Sequence, residues 1–441
     1  MEKELAGQRL TPGDLREAWP VLDAEERLEG FRLLPSEEVA DFFLELSTRG
    51  QSSVLQAMTP GERRTWLRVL PPDDAADVVT QFPPEQRTDL LALLDDPTRR
   101  EVNALLAYAE DDAGGLMHPR FARVRPGMTV EDAIRYGRRQ AQEHLGMIYY
   151  VYVLGPEQRL EGVVSFRELL LAPGDKPVRD VMQRDVITVH EELDQEAVAR
   201  VIAQHDILAV PVVDAERRVK GIVTVDDIID VVQEETTEDI QKLGGMEALD
   251  APYMKIAFGR MLKKRGGWLA ALFIGEMLTA TAMAFFEDEI ARAVVLALFV
   301  PLIISSGGNS GSQASTLVIR AMAIGEGRLR DGWRVIRREL AMGLVLGTGL
   351  GAIGFLRIFL WQQVSPIYGE HYLLVAVTVF GSLVGVVTFG TLAGSLLPFL
   401  LRRGGLDPAS ASAPFVATLV DVTGLVIYFT VASVILRGTL L

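Results

Sequence analysis

Residues 301–317 read PLIISSGGNSGSQASTL and sit inside a longer apolar segment, residues 290–322. Backbone polar groups in a bilayer must be satisfied internally, and irregular backbone is tolerated only where it is buried in protein or lines a watery cavity. Transporters place such breaks beside solute and ion sites, where freed carbonyls face the solute. The glycine-rich run is therefore expected to break its helix and to form part of a conduction path.

Four more apolar spans surround it, at residues 268–286, 340–360, 373–400 and 411–436. Each is near or above the roughly 20 residues that a bilayer helix needs. The loops between them differ in charge. Lys263, Lys264 and Arg265 precede the first span, Arg328, Arg330, Arg334, Arg337 and Arg338 follow the second, and Arg402 and Arg403 follow the fourth. The opposite loops, FFEDEIAR and WQQVSPIYGEHY, carry a single arginine. By the positive-inside rule the N-terminal half is expected in the cytoplasm and the C-terminus outside. The N-terminal MEKELAGQRL has no apolar stretch of the kind a cleaved signal peptide needs.

Ionisable residues inside membrane spans are expensive and mark function. Asp421 lies in PFVATLVDVTGLVIYF beside Thr418, Thr423 and Gly424. A carboxylate there attracts a cation in a hydrated pore, and the alternative is a helix-packing acid paired with a hydroxyl or an arginine. Glu276, in FIGEMLTATAM, is either a second pore-facing acid or a polar contact between helices. Arg357, near the outer end of the third span, is expected to snorkel. The many small residues of GLVLGTGLGAIG suit close helix packing.

The 441-residue chain has net charge −15, which hides two opposite halves. Residues 1–250 hold 28 Lys/Arg and 49 Asp/Glu, whereas residues 251–441 hold 16 and 10. So acidic a front half is a poor candidate for nucleic acid and a good one for cations, with ordinary solubility as the alternative reading. The absence of cysteine excludes thiolate metal sites, disulfides and cysteine nucleophiles.

An internal repeat organises residues 116–232, where VLGPEQRLEGVVSFREL matches VVDAERRVKGIVTVDDI. Each copy reads as strand, helix, strand, turn, strand and helix. This resembles a tandem pair of CBS domains, α/β regulatory modules that often bind adenosine nucleotides and dimerise. The second copy runs into an acidic stretch, Asp226, Asp227, Asp230, Glu234, Glu235, Glu238 and Asp239. Residues 227, 230, 234 and 238 recur at helical spacing and form a carboxylate stripe. Either it is solvated, or it faces other acids with hard divalent cations between them. Upstream, Pro60, Pro72 and Pro84 stand twelve residues apart, each followed by acids. Proline and acids both suit a helix's first turn, so this segment is expected to be a stack of short helices, solenoid-like. Asp73 and Asp77 share one helix face there.

The order of these parts resembles the MgtE family of magnesium transporters and channels, over nearly the whole chain. The most specific motifs are GGNSGSQAS at residues 307–315 and PFVATLVDVTG at residues 414–424. The resemblance implies a multidomain chain: an all-α, solenoid-like N domain (1–114), an α/β tandem CBS pair (115–236), a connecting, plug-like helix (237–265) and a five-helix transmembrane pore domain (266–441). It implies that Asp421 holds hydrated Mg²⁺ at the pore centre, helped by the Ala417 carbonyl, with Gly307, Gly308, Asn309, Thr418 and Gly424 lining the path. Asp73 and Asp77, with Asp226, Asp227 and Asp230, are implied to bind regulatory Mg²⁺. Glu235, Glu238 and Asp239 match acids near the connecting helix, and Asp41 matches an N-domain glutamate. A homodimer in the cytoplasmic (inner) membrane, in contact with lipid, is implied as well, and ATP is left open as a ligand of the CBS pair. The chain departs from many relatives at Ser312, Ala413 and Glu276.

The expectation is Mg²⁺ uptake, gated closed by internal Mg²⁺ between the N and CBS domains. The alternatives are a CBS-regulated carrier of Co²⁺, Mn²⁺ or Ni²⁺, and a membrane-anchored cation sensor. Softer metals are disfavoured by the lack of His and Cys in the central spans. An enzyme is disfavoured because no nucleophile–base set, Walker sequence or zinc-ligand spacing is present.

Overall fold

The structure, a computed structural model, describes residues 10–19, 21–142, 149–249, 253, 254, 256–324, 326 and 332–440. The first nine residues and the loop arginines Arg328 and Arg330 lie outside the described residues. The chain forms two compact units, residues 1–232 and 233–441.

The first unit begins with short helices: α1 (Pro12–Ala18), α2 (Ala24–Leu33), α3 (Val39–Leu44), α4 (Thr48–Ala57), α5 (Pro60–Leu67), α6 (Pro72–Thr80), α7 (Pro84–Leu91), α8 (Asp96–Leu105) and α9 (Ala113–Leu116). The twelve-residue prolines each open a helix, as the spacing predicts. Pro60 follows the cap Thr59, whose hydroxyl and the Glu62 carboxylate close a capping box. Even-numbered helices pack on one another, α2 on α4, α4 on α6 and α6 on α8. This is the solenoid stack.

The repeat folds twice into the same unit. The first copy is β1 (Arg123–Val124), α10 (Val130–Gln142), β2 (Tyr150–Leu154), β3 (Leu160–Ser165) and α11 (Phe166–Leu171). The second is β4 (Val189–His190), α12 (Gln195–His205), β5 (Ala209–Val213), β6 (Val219–Thr224) and α13 (Val225–Leu243). Each sheet has a parallel pair and then an antiparallel one. Tyr150 faces Ser165 in the first and Ala209 faces Thr224 in the second, with matching register shifts at Val153/Leu154 and Val212/Val213. The segments leading into the two copies are exchanged: His118 bridges Ile222 of the second sheet, and Gln183 bridges Val163 of the first.

The second unit holds α14 (Phe258–Phe285), α15 (Glu287–Arg292), α16 (Val300–Ala323), α17 (Gly332–Val364), α18 (Tyr372–Arg403) and α19 (Ala413–Ile435). Five stretches are long and apolar enough to cross a membrane, the second including the 3₁₀ turns of Val294–Phe299. Helices α16, α17, α18 and α19 pack together, and α14 runs along α19.

Two expectations need correction. The glycine-rich run does not break its helix: α16 is continuous from Val300 to Ala323. Its glycines serve contact instead. A Cβ on Gly307 would meet Val386 Cγ1 at 2.5 Å and Val420 Cγ1 at 2.7 Å. One on Gly311 would meet Val416 Cγ1 at 2.7 Å and the Gly390 carbonyl at 2.8 Å. Small residues at these turns let α16 approach α18 and α19 backbone to backbone, as in other membrane bundles. Nor is 237–265 one helix. Its first turns belong to α13, residues 246–249 are irregular, and Lys263–Arg265 lie in α14.

Candidate metal centres

In the first unit, carboxylates converge where α6 meets the start of α13. Asp73 and Asp74 stand in the first turn of α6, and Asp226 and Asp227 in that of α13. All four line one cavity of about 160 Å³, together with His118, Arg120, Thr224 and Tyr152. Asp73 is only 9% exposed, and its Oδ1 has no hydrogen-bond partner. Burial, then Asp74 and Asp227, raises the Asp73 carboxyl well above its ordinary range. Burial and the charges of Asp226 and Asp230 push Asp74 up to about 6. Asp227 reaches about 6 as well, mainly by burial, although Thr224 donates to its Oδ2 from Oγ1 at 2.7 Å. Acids crowded and buried in this way have their charged forms disfavoured, and a hard dication with oxygen ligands among them would relieve that.

The sequence expectations fare unevenly here. Asp73, Asp226 and Asp227 come together, and Asp230 lies close enough to Asp74 to raise its pKa. Asp77 shares α6 with Asp73 but is exposed. Glu235, Glu238 and Asp239 lie further along α13, where Glu238 pairs with Lys242. Asp41 is exposed on α3. Asp74 and His118 were missed. Acids in a first turn read as helix starts, which hid Asp74. Aligning LMHP with VMQR would have singled out His118, which stands where the other copy has Gln183.

In the second unit, a groove between α14 and α19 is lined by Glu276, Phe273 and Gly266 on one side and by Pro414, Ala417, Thr418 and Asp421 on the other. A Cβ on Gly275 would lie 3.1 Å from Thr418 Cγ2, which puts Glu276 beside the turn that carries Asp421. Gly307, Gly308 and Gly424 are buried at helix contacts, not on this groove. Asn309 is exposed on α16, with its amide 3.4 Å from Ser305 Oγ. Because α19 is regular through Ala417, that carbonyl lies within a continuous helix. Among the described residues no three His, Asp or Glu side chains form a ready-made metal-ligand set.

Five membrane-length helices with an acid-lined groove, in a chain that also carries an acid-rich helical stack and a CBS fold, are the make-up of a membrane transport protein. Residues 300–431 match the family described as divalent cation transporter, residues 10–111 match the MgtE intracellular N domain, and residues 178–234 match the CBS domain. The magnesium transporter MgtE of Thermus thermophilus is 41% identical over 98% of this chain and 94% of its own length. That of Bacillus subtilis is 31% identical over 97% and 93%. A crystal structure of the cytosolic domain of the Mg²⁺ channel MgtE in complex with ATP is 42% identical, covers 50% of this chain and 90% of that one, and superposes with a TM-score of 0.47. The chain belongs to the MgtE family. Its members are transporters and channels, so the enzyme alternative falls.

Proposed function

We propose that this protein carries Mg²⁺ across the cytoplasmic membrane along a path that passes Asp421, and that Mg²⁺ on the cytoplasmic side closes it. The observation that carries the reading is the groove of α14 and α19. It sets two acids, Asp421 and Glu276, beside the Thr418 and Ala417 surface of a mid-membrane helix. Mg²⁺ keeps its inner water shell and is held through carboxylates and water. A path for it needs sparse, weak oxygen sites that let the ion leave again. No imidazole lines this groove, which favours Mg²⁺ over Co²⁺, Mn²⁺ or Ni²⁺.

A homodimer would place the same groove twice about a shared axis and complete the ligand set that one chain lacks. The N-terminal unit is cytoplasmic and the C-terminus outside, by the charge of the loops. ATP is a candidate ligand of the CBS pair. Regulation rests on the carboxylates of α6 and α13. With Mg²⁺ between them the first unit is held compact, and without it the acids repel and the unit loosens. Asp73, with its buried and unpartnered oxygen, is the residue that fits a bound cation best.

The test is Mg²⁺ influx into proteoliposomes, for the unaltered protein and for Asp421→Ala, with Co²⁺ and Ni²⁺ offered as competitors. Influx that prefers Mg²⁺ and disappears in the variant supports the reading. Equal flux in both removes Asp421 from the path. No divalent flux from well-folded protein would favour the sensor.

A further inference from the structure

The N-terminal helices are fastened to the second CBS copy by bonds that involve no metal. Chain leaving the helical stack runs along the second copy before it enters the first. The Ala113 amide donates to the Leu193 carbonyl at 2.7 Å, and the Gly114 amide to the Glu191 carbonyl at 2.8 Å. The Gln195 amide returns to the Asp111 carbonyl at 2.7 Å. Tyr108 donates its hydroxyl to Glu191 at 2.7 Å. His118 then joins the edge of β6 by two backbone bonds with Ile222, at 2.7 and 3.0 Å. Gly221 is tight against this crossing, since a Cβ there would meet Met117 Cγ at 2.7 Å and the His118 carbonyl at 2.8 Å.

Side chains of the same segment reach back into the helical stack. Arg120 donates to Glu101 from Nε at 3.0 Å and from Nη2 at 2.7 Å, and Nη2 also donates to the buried Thr98 hydroxyl at 3.0 Å. His118 Nδ1 accepts the Arg120 amide at 3.0 Å, which fixes the neutral ring with its proton on Nε2. That N–H lies 3.7 Å from Asp73 Oδ1, and both atoms are buried with no other partner. The internal duplicate provides the contrast. Gln183, in the matching place, spends its side chain within the first copy, on Glu168 at 3.0 Å. One apolar cluster follows the same route, from Val78, Val79 and Val102 through Ala113 and Met117 to Val198 and Ile202.

We propose that residues 117–120 are a metal-independent strap. It fastens the helical domain to the second CBS copy, with Arg120 as its grip and His118 as the residue that positions Asp73. It rests, for its effect on gating, on the regulatory reading above. The strap supplies part of the closing free energy in advance, so less Mg²⁺ is needed to hold the unit compact. A first interaction that pre-organises a site raises the apparent affinity for the next ligand.

Because the chain has no cysteine, spin labels can be placed cleanly at Glu85→Cys on α7 and Glu216→Cys before β6. The distance between them is read by pulsed electron resonance on the full-length protein in nanodiscs, in EDTA and through a Mg²⁺ titration. The unaltered strap should keep a compact population in EDTA. His118→Ala with Arg120→Ala should lose it, and should need at least several-fold more Mg²⁺ to recover it. His118→Gln, which keeps an N–H donor, should restore most of the difference, and Gln183→Ala should change nothing. Glu101→Gln weakens the same grip from the other side and covers the case in which the double variant fails to fold. Identical EDTA distances and Mg²⁺ midpoints in intact, double-variant and Glu101→Gln proteins would overturn the strap. A strap effect in EDTA with no response to Mg²⁺ in any protein would sustain the strap and remove the regulatory reading.

Discussion

Lys242 Nζ lies 2.5 Å from Asp407 Oδ2 and also pairs with Glu238, so the last turn of α13 is tied to the loop that starts α19. The other Asp407 oxygen caps that loop by accepting the Ala409 amide at 2.8 Å. Leu243 packs in the same place against Ile319, Ala409 and Ala411. Helix α19 begins two residues later, at Ala413, and carries Asp421. Asp407→Ala should therefore loosen the start of α19. A charge-assisted bond contributes about 1.5–3 kcal/mol, and both partners are about a third exposed, so roughly 1 kcal/mol should survive screening. The expected result is a lower melting temperature in detergent and weaker inhibition of flux by internal Mg²⁺. Exchanging the charges, Lys242→Asp with Asp407→Lys, should recover part of both. Unchanged inhibition in Asp407→Ala would mean that this contact does not report to the pore.

The glycines of α16 predict a sharp contrast in stability. At Gly311 an added methyl meets Val416 and the Gly390 carbonyl inside 3 Å, and forcing atoms into a packed interface costs about 1–3 kcal/mol. Gly349 on α17 has open space where its Cβ would go. There alanine should gain about 0.8–1 kcal/mol from helix propensity alone. Thermal melts of Gly311→Ala and Gly349→Ala should move in opposite directions. If both rise, the glycines of α16 are not holding helices together.

This contrast also shows what the sequence could and could not disclose. The membrane spans were readable because twenty apolar residues have few other uses in so acidic a chain, and the CBS fold because its pattern occurs twice. The Pro60, Pro72 and Pro84 period located its helices because proline suits only the first turn. The GGNSG run misled because a glycine that bends a helix and one that admits a neighbouring backbone look the same in one dimension. Asp74 was illegible for a related reason. Whether a first-turn acid meets water or Asp226 depends on packing between segments some 150 residues apart.

The groove of α14 and α19 makes Glu276 testable apart from Asp421. Both line it, and among the described residues neither has a hydrogen bond or ion pair to a cationic side chain. If both face the ion, Glu276→Gln should keep Mg²⁺ influx but weaken half-saturation several-fold, whereas Asp421→Asn should abolish influx. Concentration dependence of proteoliposome uptake separates the two. An unchanged half-saturation in Glu276→Gln would assign that acid to helix contacts instead.

The raised carboxyls of the first unit predict how Mg²⁺ and protons compete. Asp74 and Asp227 move from an ordinary 3.8 to about 6 in the compact unit. A carboxyl that binds its proton more tightly in the compact form favours that form while protonated. Its contribution is therefore complete below about pH 4, declines as pH rises toward 6, and is gone above that. At roughly 1.4 kcal/mol per pKa unit, the two groups together remove a few kcal/mol over this window. Mg²⁺ bound among the same oxygens should restore what deprotonation removes. The melting temperature of the full-length protein in EDTA should thus fall between pH 4.5 and 7, once the ordinary pH trend of an Asp74→Asn, Asp227→Asn variant is subtracted. Added Mg²⁺ should raise it more at pH 7.5 than at pH 5. Equal stabilisation by Mg²⁺ at both pH values would show that protons and the cation do not share these carboxylates.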